Sequence, residues 1–252
     1  MIDVKNFKMT HEIFRKANNP LTNKDELLEI AKLNDNILSA AIAFNVNADR
    51  EILSTLEKIN SPEVRRNLAT RYGNYPNLYT IEVREVTEGD SSYVYSLRTD
   101  ISYSKYISKV SSEPEQQRSY INNYIKENQL VRSSFYFIIK NIENNKRCGT
   151  VRLYNFRDDS FEWGSWILDS NKTRFAAMET AIFVYEFAFN NLGFSKSEFE
   201  VNKENEKVVS YHLKSGAKVI SEDSENLYFR ITKDEALSFT ATLRNRLESK
   251  MH

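Results

Sequence analysis

Phe161-Glu162-Trp163-Gly164-Ser165-Trp166-Ile167, followed by a long segment from Lys172 to Leu192 and then Gly193, is the stretch that decides the fold. The first part, Phe161 to Leu168, is short and aromatic, as a strand is. The second carries Ala177, Ala181, Val184 and Ala188 at helical spacing, with Met178, Ile182, Tyr185 and Phe189 beside them. That pattern predicts a helix from Lys172 to Leu192, stopped by Gly193. Small residues along one stripe let such a helix sit close on a sheet. The pair is therefore a strand feeding a helix that returns over the sheet.

The pattern extends in both directions. Upstream, Ser134 to Ile142 and Arg147 to Phe156 read as strands joined by the turns Asn144-Asn145-Lys146 and Arg157-Asp158-Asp159-Ser160, which predicts an antiparallel meander. Before them, Leu78 to Arg84 alternates as a strand, Glu88 to Arg98 is helical behind Thr87, and Pro114 opens a helix carrying Tyr120, Ile121, Tyr124 and Ile125 on one face. Downstream come a strand from Ser197 to Val201, a helix from Asn205 to Ser215 ended by Gly216, a hairpin of Lys218 to Ser221 with Leu227 to Thr232, and a final helix from Lys233 to Lys250. The order is β-α-α-β-β-β-α-β-α-β-β.

Residues 10–72 carry helical spacing alone, and Gly73-Asn74-Tyr75-Pro76-Asn77 separates them from the rest. The expected domains are 1–77 and 78–252. Ala17, Ala43 and Ala69 stand 26 residues apart within similar local sequence, which predicts short stacked helical units. This piece resembles the variant leucine-rich repeat, a helical solenoid. An ordinary helical hairpin is the other reading of the same residues.

Charge and composition narrow the function. The 252 residues carry 35 basic and 35 acidic side chains, a balance that argues against a nucleic-acid protein. One cysteine rules out an internal disulfide, and His11, His212 and His252 do not cluster, so no metal site is expected. With no signal-like start and no long apolar run, the expected protein is cytoplasmic and does not insert in a membrane.

The order of elements and the run from Phe161 to Ala217 resemble the GNAT superfamily of acetyl-CoA-dependent N-acetyltransferases. The resemblance covers about residues 78–236. It is carried by Phe161 to Ile167, by Glu179-Thr180-Ala181, by Ala188 to Phe194, and by Val201, Asn202, Asn205 and Lys214-Ser215-Gly216-Ala217. It implies an α+β (α/β) fold with a mixed, mostly antiparallel central sheet flanked by helices, here preceded by an all-helical repeat-like domain. Gly149 to Tyr154 followed by Glu162 to Trp166 resembles the branch that acetylates amino groups of nucleotide-linked sugars for surface glycans. It also resembles the branch acting on protein N-termini.

The resemblance assigns site residues. Acetyl-CoA, as cosubstrate, would set its diphosphate on Lys172-Thr173-Arg174-Phe175-Ala176-Ala177 at the start of the long helix, where aligned amides and a favourable dipole hold anions. Phe175 departs from the family pattern, which has Gly there. Backbone N–H groups of Ile167 or Leu168 are the expected oxyanion donors, and Asn205 would face the CoA arm unless it serves as a helix cap. Glu162 is the candidate for managing the amine proton. Its period-two position puts it opposite Trp163 unless a bulge intervenes, and Gly164 is a natural place for one. His212 stands where many family members carry a Tyr that protonates the leaving thiolate, with Tyr211 as the backup. Tyr93, Tyr95, Arg98, Tyr103 and Tyr106 cluster where the resemblance places the acceptor pocket, either as groups that hold a base or sugar or as packing.

Three functions follow from this reading: acetyl transfer to a nucleotide-linked amino sugar, acetyl transfer to a protein or peptide, and a non-catalytic binding module. The expected partner is a small-molecule amine. The N-terminal helices offer a surface for a protein partner or for self-association.

Overall fold

A computed structural model of the protein describes residues 4–73, 75–106, 110–111, 113–128 and 132–251, with the backbone alone for 4–10. Met1–Asp3, Asn74 and His252, which the sequence reading touched, lie outside the described residues. The chain divides into two compact units, Met1–Asn74 with Gln129–Arg132, and Tyr75–Asn128 with Ser133–His252.

The first unit holds α1 (Val4–Asn18), α2 (Lys24–Ala31), α3 (Asn36–Phe44), α4 (Arg50–Leu56) and α5 (Pro62–Arg71). Side chains cap four of these helices: Asn23, Asp35, Asp49 and Ser61 each accept a first-turn amide. Leu27, Ile42, Ile52 and Leu56 form the unit's dry centre. Hydrogen bonds join positions about one 26-residue step apart. Asn45 Nδ2 donates to Ala17 O at 2.8 Å and to Asn19 O at 2.9 Å, and Arg71 donates to Asn45 O at 3.2 Å. Ala17, Ala43 and Ala69 are all buried.

The second unit holds β1 (Ile81–Glu85), α6 (Ser91–Thr99), α7 (Ile101–Ser104), α8 (Pro114–Asn128), β2 (Phe135–Asn141), β3 (Lys146–Tyr154), β4 (Ser160–Leu168), α9 (Ala176–Glu186), β5 (Lys196–Asn202), α10 (Glu206–Lys214), β6 (Lys218–Glu222), β7 (Asn226–Thr232) and α11 (Lys233–Met251). The seven strands lie in the order β1-β2-β3-β4-β5-β7-β6. Every neighbouring pair is antiparallel except β4 and β5, which run parallel. This is the mixed, mostly antiparallel sheet that the sequence implied, with α7 as an added turn of helix.

Strand alternation sends the two faces of the sheet to different helices. Tyr136 and Ile138 of β2 pack with Val94 of α6 and with Ile121 and Tyr124 of α8. Phe135 and Phe137, one residue off, meet Phe187 and Phe183 behind the sheet at ring separations of 5.4 and 4.9 Å. Each buried Phe contributes about 1.5–3 kcal/mol through the apolar area it removes from water. On that same rear face α11 packs on α9 through Leu243 and Leu247.

Two local differences from the sequence reading bear on the site. The long helix begins at Ala176 rather than Lys172, because Thr173 holds the preceding segment in a turn: its hydroxyl accepts the Phe175 amide at 3.3 Å and its carbonyl accepts the Ala176 amide at 3.3 Å. The far end of the helix widens, with the Leu192 amide bonding back five residues to Phe187 O. The bulge in β4 falls one residue beyond Gly164. Arg152 pairs with Gly164 and Thr150 with Ile167, so Ser165 and Trp166 oppose a single residue of β3. Ser165 takes φ 47°, a conformation uncommon for a non-glycine residue.

Candidate active site

The parallel pair β4 and β5 is where the sheet opens. The two strands pair at Ser160 with Lys196 and at Phe161 with Ser197, and then diverge. Beyond that point the edge of β4 that faces β5 has no strand partner among the described residues. A cavity of about 240 Å³ fills the gap. Trp163, Phe199 and His212 line it from the α10 side of the sheet, and Tyr154, Gly164 and Glu200 from the other. Asn205 lines it as well, and its side chain makes no capping bond to α10, so the amide is left for whatever enters the gap.

The bulge sets which amides look into the opening. The Asp169 amide donates to Cys148 O at 2.9 Å, and the Ile167 carbonyl lies so close to Gly149 that an added Cβ there would come within 2.2 Å of it. Both groups therefore point toward β3. Alternation turns the Leu168 amide the other way, along the open edge. Of the two expected oxyanion donors, Leu168 is the one so oriented.

His212 is 4% exposed, with its ring 4.3 Å from that of Phe199 and 5.5 Å from Trp163. Burial pushes its pKa down to about 3, so the ring is neutral near pH 7. In that state it offers one N–H and one lone pair, not a charged acid. Tyr211 points elsewhere, toward Trp166 at 5.7 Å and Phe239 at 6.0 Å, and burial pushes its hydroxyl pKa upward.

On the opposite face stand Glu162 and two residues that the sequence reading passed over. Tyr154 Oη donates to Glu162 Oε1 at 2.8 Å, and Asn155 Nδ2 donates to Oε2 at 2.8 Å. Tyr154 is the direct register partner of Glu162 across the β3–β4 hairpin. Counting back from the Arg157–Ser160 turn would have found that pairing. Burial and the Glu162 carboxylate both raise the Tyr154 pKa, so its hydroxyl keeps its proton. Glu200 feels the same carboxylate, and burial followed by that charge raises its pKa. Gly164 makes room for the arrangement: a Cβ there would stand 2.7 Å from the Tyr154 hydroxyl oxygen.

A second cavity of about 410 Å³ adjoins the first, and Tyr154 and Ser165 line both. Its wall includes Arg98 of α6, Gln116, Gln117 and Tyr120 of α8, and Arg152 of β3. Two arginines line this space, and no carboxylate is among its described lining residues. Arg152 donates to the Tyr120 hydroxyl and to Ser134 Oγ, and its guanidinium lies 5.5 Å from the Tyr154 ring centre. Of the five expected acceptor residues, Arg98 lines this cavity and Tyr106 the other. Tyr93 instead donates to Asp169 at 2.7 Å and carries Arg147 over its ring, while Tyr95 and Tyr103 line neither space. The signal for Arg152 was its period-two step from Tyr154.

The start of α9 places the other predicted residues. Lys172 and Arg174 are exposed, Ala177 is half-buried, and Thr173, Phe175 and Ala176 are buried. Thr173 is structural: its hydroxyl lies 2.7 Å from that of Thr80, which in turn donates to the fully buried Glu179 at 2.7 Å. Phe175 sits at φ −103° and ψ −7°, which any residue adopts, so a glycine is not needed there for conformation. Its ring is buried with Ile182, Leu243 and Leu247, with the Arg174 guanidinium stacked over it at 4.4 Å.

These residues fit acetyl-CoA. Lys172, Arg174 and the first-turn amide of Ala177 suit a diphosphate at a helix start. Trp166 Nε1 and His212 Nδ1, from two residues that line the gap, are buried with no hydrogen-bond partner among the described residues. Buried polar groups normally find partners, and a pantetheine arm carries two amides and a hydroxyl that can supply them.

Comparison with known proteins shows the family. Residues 80–218 match the acetyltransferase (GNAT) domain family. The unliganded structure of FdhC, a nucleotide-linked sugar GNAT, is 42% identical, superposes with a TM-score of 0.61, and is matched over 67% of this chain and 95% of its own. The spermidine N-acetyltransferase of Vibrio cholerae, in complex with CoA and spermine, shares the fold at 16% identity and a TM-score of 0.54, over 63% of this chain and 98% of its own. The ribosomal-protein-S5-alanine acetyltransferase of Vibrio fischeri does so at 15% and 0.54, over 64% and 97%. No curated protein matches the chain. No helix among the described residues is long and apolar enough to cross a membrane.

Proposed function

This chain belongs to the GNAT family of acetyltransferases and is an acyl-CoA-dependent N-acyltransferase, and within that family we propose that it transfers acetyl from acetyl-CoA to a primary amine of a nucleotide-linked amino sugar. The observation that carries this reading is the charge of the second cavity. Arg98 and Arg152 line it with no carboxylate among the described lining residues. Guanidinium groups hold phosphate oxygens through paired, charge-assisted hydrogen bonds, and they repel a polyamine. Tyr120 and the glutamines add an aromatic face and amides suited to a base or a sugar. The likeness to a nucleotide-linked sugar GNAT points the same way.

The chain's residues then divide the work. The start of α9 binds the diphosphate of acetyl-CoA, and the gap between β4 and β5 receives the thioester end. The Leu168 amide faces the developing oxyanion, a contact that grows stronger as charge builds on the carbonyl. Glu162 is the sink for the amine proton. His212, neutral and walled by aromatic rings, donates a hydrogen bond to the departing sulfur.

Thiol release measured with an amino-sugar nucleotide, the same free amino sugar, spermidine and a short peptide checks the assignment. The nucleotide-linked amine is expected to give the highest kcat/KM by tenfold or more. A preference for the polyamine or the peptide, or equal use of the free sugar, overturns it.

A further inference from the structure

Glu162 lies on the same strand as the thioester gap, yet it lines neither cavity. Both of its oxygens are taken, by the Tyr154 hydroxyl and by the Asn155 amide at 2.8 Å each. Tyr154, by contrast, lines both cavities and lies against Gly164 beside the bulge. A molecule whose amine approaches the gap from the Arg-lined space therefore meets the phenol before the carboxylate.

From this placement we infer that Tyr154 is the catalytic residue that touches the amine, and that Glu162 acts through it. The inference rests on the acetyltransfer reading above and adds the path of the proton. A substrate ammonium gives its proton to Tyr154 Oη while the hydroxyl's own proton passes to Glu162 Oε1. Tyr154 is a neutral phenol before and after. The amine lone pair so released attacks the thioester carbonyl carbon. As the C–S bond breaks, the second amine proton goes to the leaving sulfur, so the amide and the free thiol form and one proton remains on Glu162. That proton leaves by the exposed edge at Asn155. The relay needs the phenol to keep its proton between turnovers, which burial and the Glu162 charge ensure.

Tyr154→Phe keeps the ring beside Arg152 and removes the hydroxyl alone. At neutral pH kcat should fall about 100-fold, the usual size of general acid–base assistance, with KM for acetyl-CoA unchanged. The rate of the variant should climb with pH, as solution itself frees the amine, and approach wild type in alkali. Glu162→Gln should behave alike, and the double variant should be no slower than either single one, because the groups act in series. A Tyr154→Phe rate within twofold of wild type, a flat pH profile, or single effects that multiply would each overturn the relay. The comparison is run on whichever amine the wild type uses best, so a wrong substrate class sinks the function proposed above and not the relay. A reading without substrate completes the test: the Tyr154 Cζ carbon resonance at neutral pH should shift on Glu162→Gln, which removes the carboxylate that accepts the hydroxyl proton. A resonance that never responds to Glu162 refutes the coupling whatever the rates.

Discussion

On one face of β4, Glu162 shares hydrogen bonds with Tyr154 and Asn155, and two guanidinium groups stand beyond. On the other, one residue later, Trp163 lies among the rings of Tyr185, Phe199 and His212. The first face is charged and partly wet; the second is aromatic and dry. The difference matches what the proposed function asks of each face. An amine arrives charged and must lose a proton, so it needs a chain of polar groups leading outward. A thioester is neutral and must be kept from water, so it needs walls. In the function proposed above, two-residue alternation would let one strand serve both, with the parting of β4 from β5 connecting the faces.

Removing charge from the polar face should have the largest effect. Arg152→Met is expected to raise KM for the amino-sugar nucleotide about 100-fold while leaving KM for acetyl-CoA within twofold. Steady-state kinetics with each substrate varied checks this. Equal increases in both constants would mean that the two faces are not separate.

Changing the dry face should alter turnover and acid stability together. His212→Phe keeps an aromatic ring in the cluster, so folding near neutrality should hold, while kcat falls about tenfold for want of the hydrogen bond to sulfur. The native pKa of about 3 lies below the ordinary value of 6.5, so the unfolded chain binds the extra proton first as pH falls. Wild-type stability should therefore rise with pH between about 3 and 6.5, by at most about 1.4 kcal/mol per unit from this ring, and level off above. Urea midpoints for both proteins at pH 4.5 and 7 measure the difference. A variant that loses as much stability in acid as wild type would place the cause elsewhere.

The smallest effect is expected at the helix start, which the proposal makes the anchor of the cosubstrate. Lys172→Ala should raise KM for acetyl-CoA about two- to fivefold in low salt, and the gap should close in 1 M NaCl, since an exposed charge near a helix end is screened. A salt-independent change would assign Lys172 a packing role.

The strands, the helices and their order along the chain were legible because period-two and helical spacing both survive in single residues such as Phe161, Trp163, Ala181 and Val184. The family pattern pointed to Arg98, Asn205 and His212, which line the two cavities, and to Glu162, which bonds to Tyr154 beside them. The protonation of His212 was not, since it depends on rings from β4, β5 and β7 that close around it. Nor was the fate of Phe175. Its ring finds room under Leu243 and Leu247 of α11, about 70 positions away, and no local spacing announces a neighbour so distant. Tyr154 lay within reach of a hairpin count, but its importance comes from bordering two cavities, which only three dimensions reveal.

The last helix also returns to the beginning of its own unit. Arg244 donates to Asn77 O at 3.2 Å, and the Tyr79 hydroxyl donates to Glu248 at 3.0 Å. The segment that enters the sheet and the segment that leaves it are thus neighbours, so the unit is almost a closed loop of chain. A circular permutation that joins these ends with a short bridge would cost little entropy, and it would preserve the gap between the parallel strands while redrawing the order in which they are made.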